Sequence, residues 1–130
     1  MSMARTPLRA LVVSGAALAL ALLTTPTALA DSTRCTADTA CAGKAAFKSL
    51  GEVFTVTDQV GDGHSAVLLY WLPDGTGPHL VWNPNGKGTS VTANLELAEG
   101  SWVHYRVCLG EHGTKDVLEN TCGAPITDRA

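Results

Sequence analysis

The stretch "WVHYRVCL", Trp102 to Leu109, decides the fold class. At a period of two, Val103, Tyr105, Val107 and Leu109 share one face, and Trp102, His104, Arg106 and Cys108 share the other. Val, Tyr, Val and Leu can bury together with the Tyr hydroxyl at a rim. His104 and Arg106 are costly to bury unpaired and are expected to point outward. The segment therefore reads as a strand with a core stripe and an outer row.

Strand-length runs continue on its N-terminal side, separated by turn signals about every ten residues: Gly51, "GDG" at 61–63, "PDGTGP" at 73–78, "NPNGKG" at 83–88 and "EG" at 99–100, with a further one, "GEHG" at 110–113, directly after it. "EVFTVT", "HSAVLLYWL" and "HLVWN" are rich in β-branched or aromatic residues. "TSVTANLEL" sets Val91, Ala93, Leu95 and Leu97 against Thr92, Asn94 and Glu96, so it has one wet face. "SAVLLYWL" is apolar on both alternating sets, as a central strand covered on both sides would be. Asn85-Gly86 is a hairpin signal of the two-residue kind that needs positive φ at both central positions. "TACAGKAAFKSL" is ambiguous between helix and strand, and a strand over Ala45–Leu50 is the preferred reading. Short strands without a long amphipathic helix predict an all-β fold, a small antiparallel sandwich of about seven short strands.

The chain opens with Arg5 and Arg9, an apolar run "ALVVSGAALALALL", Pro26, and "ALA" before Asp31. A positive start, an apolar centre and a small-x-small end are the parts of a secretory signal peptide, so residues 1–30 are expected to be removed and residues 31–130 to form one domain. The run is short for a membrane span, and no membrane association is expected after cleavage. The arginines are not adjacent, which gives a twin-arginine route no support. Residues 31–130 keep seven of the nine Lys and Arg and all twelve acids, a formal charge of −5. Nucleic acid and anionic membranes need clustered positive charge and are disfavoured as partners.

Cys35, Cys41, Cys108 and Cys122 all follow the cleavage site, and an even count in a small exported chain reads as a disulfide framework. Three pairings are possible. Cys35–Cys41 with Cys108–Cys122 is preferred because each pair flanks a short turn-like segment. No C-x-x-C spacing supports zinc.

Sites of chemistry are sparse. "GHSAV" at 63–67 resembles the nucleophile elbow around Ser65, but Val67 replaces its second Gly and the segment leads into a strand. Asp58 and Asp62 flank a Gly-rich turn, yet the calcium-loop pattern fails at Val60 and Leu69. Accepting backbone N–H bonds in that turn is the plainer role for both. His64, His79, His104 and His112 show no ligand spacing, and Glu52, Asp58, Asp62, Glu111 and Glu119 single out no carboxylate pair. No cofactor, metal or enzymatic activity is expected.

The candidate binding residues are Trp102, His104 and Arg106, an outward ledge where an aromatic beside an Arg can grip a sugar ring or a partner side chain. A solvated strand face whose Trp covers a disulfide is the plainer alternative. The resulting expectation is a secreted, monomeric, non-enzymatic protein that binds an extracellular glycan, the cell wall or another protein. An inhibitor of an exogenous hydrolase is the alternative.

"DQVGDGHSAVLLYW" and "LELAEGSWVHYRVCLG", with a closing "NTCG", resemble the small secreted proteins of Streptomyces and related actinobacteria. The shared pattern is D-x-x-x-D-G-x-S-A at Asp58–Ala66, E-G before a strand ending Y-R-V-C at Tyr105–Cys108, and a late Cys122. The resemblance covers most of residues 31–130. It implies an all-β secreted domain with Cys108 paired to Cys122, and it brings no activity. The amylase and subtilisin inhibitors of the same bacteria share the size and two disulfides, but the Trp-Arg-Tyr triplet of the former and the cysteine spacing of the latter are missing.

Overall fold

A computed structural model describes residues 31–130, so the expected signal peptide lies outside the described residues. The fold is all-β, with nine strands in two antiparallel sheets: β1 Ser32–Cys35, β2 Gly43–Lys48, β3 Val53–Asp58, β4 Ser65–Trp71, β5 His79–Asn83, β6 Ser90–Asn94, β7 Trp102–Glu111, β8 Asp116–Leu118 and β9 Ile126–Arg129. One sheet runs β1-β2-β3-β6. The other runs β5-β4-β7-β8, with β9 also paired to β7. Strand β7 carries β9 along Trp102–Tyr105 and β8 along Leu109–Glu111.

Nine strands replace the expected seven. The sequence reading placed no strand at β1, β8 or β9, which are three or four residues long and polar enough to show little alternation. Strand β2 begins and ends two residues before the expected span, and Ser49–Leu50 turn away from it. Strand β6 stops at Asn94, although Leu95 and Leu97 continue its inward row.

Asn85-Gly86 does not close a hairpin. Gly86 is at φ +93 but Asn85 is not left-handed, and the chain crosses from β5 in one sheet to β6 in the other. Asn83 explains the diversion. Its buried amide donates to Val56 O at 3.1 Å and Thr89 O at 2.8 Å, and its Oδ1 accepts the Thr89 hydroxyl at 3.1 Å. A buried amide satisfied across both sheets outweighs a local turn preference.

Between the sheets lie Ala45, Phe47, Phe54, Val56, Ala66, Leu68, Val103, Tyr105 and Val107. Phe54 packs against Phe47 at 4.7 Å, Tyr105 at 4.9 Å and Tyr70 at 5.6 Å between centroids. The inward half of "WVHYRVCL" is as expected. The Tyr105 hydroxyl reaches the rim and meets Ser32 Oγ at 2.7 Å, while burial pushes its phenol pKa up.

The disulfides are Cys35–Cys41 and Cys108–Cys122, the preferred pairing. At the first, Asp38 accepts the Thr36 hydroxyl and the Ala42 N–H; the Thr36 bond is the larger influence holding its carboxyl below the usual range. The C-terminal segment crosses this loop closely. A Cβ on Gly123 would lie 1.8 Å from Cys35 O, so only glycine fits there.

Candidate functional site

The outer face of the second sheet is built by the odd-numbered residues of β4 and the even-numbered residues of β7. Register sets Trp71 against His104, Leu69 against Arg106 and Val67 against Cys108. Strand β5 adds Leu80 beside Leu69 and Trp82 beside Val67. Strand β9 adds Arg129 beside Trp102 and Thr127 beside His104. All three tryptophans of the chain therefore lie on this one face.

Val67, Leu69 and Cys108 are buried here beneath Trp71, Trp82, Val117 and Cys122, so β4 is covered on both sides as its sequence predicts. Among the described residues no third layer does the covering. Indole rings and the Cys108–Cys122 bridge lie over the strand, and the rings keep part of their surface in water. Trp71 and Trp82 pack against the cluster that holds Cys108, whereas Trp102 stands further along and is 36% exposed. Trp82 packs closely on Gly110, where a Cβ would come within 2.8 Å of its Cη2.

At the β9 end the three expected ledge residues come together with Trp71, which the sequence reading left out. The His104 ring lies 5.7 Å from Trp71, and the Arg106 guanidinium carbon sits 5.9 Å from the Trp71 ring centroid. His104 Nδ1 meets Thr127 Oγ1 at 2.8 Å, which fixes the imidazole. Arg106 Nη2 donates to Glu119 Oε2 at 2.7 Å, an exposed pair that contributes about 0–1 kcal/mol of stability and mainly orients the guanidinium. Trp71, Trp102, His104 and Thr127 line an open cleft of about 330 Å³. A surface lined by two indoles, an imidazole and a hydroxyl offers the kinds of group that can meet a sugar ring, with its apolar C–H faces edged by hydroxyls.

Trp71 also supports the neighbouring loop. A Cβ on Gly77 would lie 2.7 Å from Trp71 Cδ1, so the 73–78 loop packs on the indole through glycine. That loop is bonded to itself: Leu72 N–H to Thr76 O at 3.1 Å, Thr76 N–H to Asp74 Oδ1 at 2.9 Å, and Thr76 Oγ1 to His79 Nε2 at 2.8 Å.

The remaining candidates lie elsewhere. Asp58, Asp62, His64, Ser65 and Lys87 border a separate hollow of about 220 Å³ at one end of the sandwich. Asp58 is buried, and burial first, then the Asp62 charge, pushes its carboxyl pKa up. Both aspartates accept turn N–H groups, from Val60 at 3.2 Å and His64 at 3.0 Å, the local role read from the sequence. His64 turns to Glu111, while Ser65 shares the outward parity of Val67, which separates the imidazole from the hydroxyl. Glu52 precedes β3 and Asp58 ends it, a span of about 20 Å, far beyond glycosidase carboxylate spacing. His79 stacks on Tyr70, and His112 meets Trp82 edge to face. Among the described residues no three His, Cys, Asp or Glu converge as metal ligands, and no helix is long and apolar enough to cross a membrane.

An all-β sandwich with an indole-lined open face is the class these features define. Comparison with protein-family models, curated proteins and solved structures finds no match.

Proposed function

We propose that the protein is a secreted, non-enzymatic binding protein that holds an extracellular glycan on the outer face of its second sheet. The observation that carries this reading is the open cleft lined by Trp71, Trp102, His104 and Thr127, with Arg106 beside Trp71. An apolar surface left open on a small domain is characteristic of an interaction site. Two disulfides favour an oxidising compartment, and the leader-like start together with the resemblance to actinobacterial secreted proteins favours export.

Retention of the purified oxidised protein on insoluble polysaccharide tests the reading. Trp102→Ala and Trp71→Ala are expected to abolish retention, with Trp102→Ala leaving the melting temperature within a few degrees. Undiminished retention by both variants would remove the face as the site.

The 73–78 loop favours the second reading, an inhibitor of an exogenous hydrolase, because a protruding segment stiffened by its own hydrogen bonds can enter a cleft with little ordering cost. Stoichiometric inhibition of a secreted amylase or protease, lost on Asp74→Ala, is its expected signature. Full enzyme activity in the presence of excess protein across a panel of both classes would end it.

A further inference from the structure

Residues 31–130 carry a formal charge of −5, but the charge is not evenly spread. Register and ring contacts assign Arg106, Arg129 and Lys115 to the outer face of the second sheet. Lys115 Nζ lies 5.4 Å from the Trp82 ring centroid, and Arg129 stands beside Trp102 and bonds Gly100 O at 3.0 Å. The acid placed among them by contact is Glu119, bound to Arg106. Asp116 and Glu111, the nearby acids of β8 and β7, have the opposite parity to Val117 and Gly110, and Glu111 pairs with His64. Asp74 beside the cleft is turned into its own loop by Thr76. An acidic protein thus presents a face on which each tryptophan has a cation next to it.

This pairing restricts the ligand. A neutral glycan needs rings to stack on and hydroxyl partners, and gains little from guanidinium and ammonium groups. A polymer of sugars bearing carboxylates satisfies both halves of the face: ring faces lie on Trp71 and Trp102, and carboxylates meet Arg106 and Arg129, whose planar forks suit them. Resting on the glycan-binding reading above, the geometry points to an acidic polysaccharide, rich in uronic acid, as the occupant of this face. Arg129 and Arg106 read the carboxylates, and the indoles read the rings. The acidic remainder of the surface repels the same polymer and so confines it to this face.

Binding of the oxidised protein to three immobilised polymers separates the possibilities: polygalacturonate, neutral dextran and poly-glutamate. The expected result is preference for polygalacturonate over both others, weakened by raising the salt from 50 to 200 mM. Arg129→Gln is expected to raise its Kd about tenfold, the fold-change of losing one charge-assisted hydrogen bond. Equal binding to dextran and polygalacturonate would overturn the acidic-sugar assignment while leaving glycan binding in place. Equal binding to poly-glutamate and polygalacturonate would reduce the face to a plain ion exchanger and overturn the assignment too. Binding to none of the three would overturn both this assignment and the glycan reading. Arg129→Lys, which keeps the charge without the fork, is expected to recover only part of the affinity; full recovery would overturn the role given to the guanidinium.

Discussion

The second sheet has two apolar faces and only one partner. On its inner face Ala66, Leu68, Val103, Tyr105 and Val107 meet Phe47, Phe54 and Val56 of the first sheet and are sealed. On its outer face, among the described residues, Val67, Leu69 and Cys108 meet no sheet and pack against Trp71, Trp82, Val117 and Cys122. The same strands, β4 and β7, supply both sides. The difference is what lies opposite: β-branched and Phe side chains that interdigitate fully, or large rings that cover the strand and still present a surface. Stability belongs to the first arrangement, and the second is the surface on which recognition is proposed.

The sharpest way to break that contrast is Phe54→Ala. It empties the centre of the aromatic cluster with Phe47, Tyr70 and Tyr105 and is expected to cost about 3–5 kcal/mol, most of a small domain's margin. Chemical denaturation of the variant checks it. A loss below about 1 kcal/mol would mean that the inner face is not the main source of stability.

Next in size is the bridge that lies over the outer face. Cys108→Ser with Cys122→Ser is expected to cost about 2–4 kcal/mol from the released loop, and to loosen the floor under Trp71 and Trp82. Replacing Cys35 and Cys41 by serine should lower the melting temperature without changing retention on polysaccharide, because that loop lies on the other sheet's edge. Differential scanning calorimetry beside a retention assay separates the two bridges.

The sequence separates the two faces of β7 cleanly, since valines and a tyrosine alternate with charged or ring-bearing residues. It also shows that β4 is apolar on both sides, but an unbroken apolar run hides which of its residues are covered by a sheet and which by rings. Trp71 was missed as a ledge residue for that reason; its parity with Val67 and Leu69, opposite His104 in an antiparallel pair, is the signal that could have placed it. Trp82 needed tertiary knowledge, because its close approach to Gly110 is a contact between strands far apart in sequence. The same limit applies to Asn85-Gly86, whose local turn preference is overruled by the Asn83 amide bonded across the sheets. Strands β8 and β9 gain their pairing from β7 and not from their own few residues.

Smaller effects come from two aspartates, Asp38 in the first disulfide loop and Asp58 at the end of β3. Asp38 is held below its unfolded pKa, so its contribution to stability is present above the unfolded value and lost as pH falls through the folded one. Asp58 is pushed the other way, so its contribution is present below the unfolded value, near 3.9 by the ordinary scale, and lost as pH rises through the folded one. Asp38→Asn is accordingly expected to lower the melting temperature at pH 7, and Asp58→Asn to hold or raise it, with both differences shrinking or reversing in acid. The effects are each about 1 kcal/mol or less for such groups. Melting curves from pH 3 to 8 decide it, and an Asp58→Asn variant clearly less stable than the parent at pH 7 would contradict the assigned sign.

Because Trp71, Trp82 and Trp102 all stand on the outer face, and Phe47, Phe54 and Tyr105 fill the inner one, tryptophan emission reports on one side of the second sheet alone. Titration of the oxidised protein with soluble polygalacturonate, followed by tryptophan fluorescence beside a direct measure of binding, tests the central claim most directly. The account predicts a saturable change in emission with the same Kd as binding, lost in Trp102→Ala. Binding that leaves the emission unchanged would place the ligand elsewhere and contradict it.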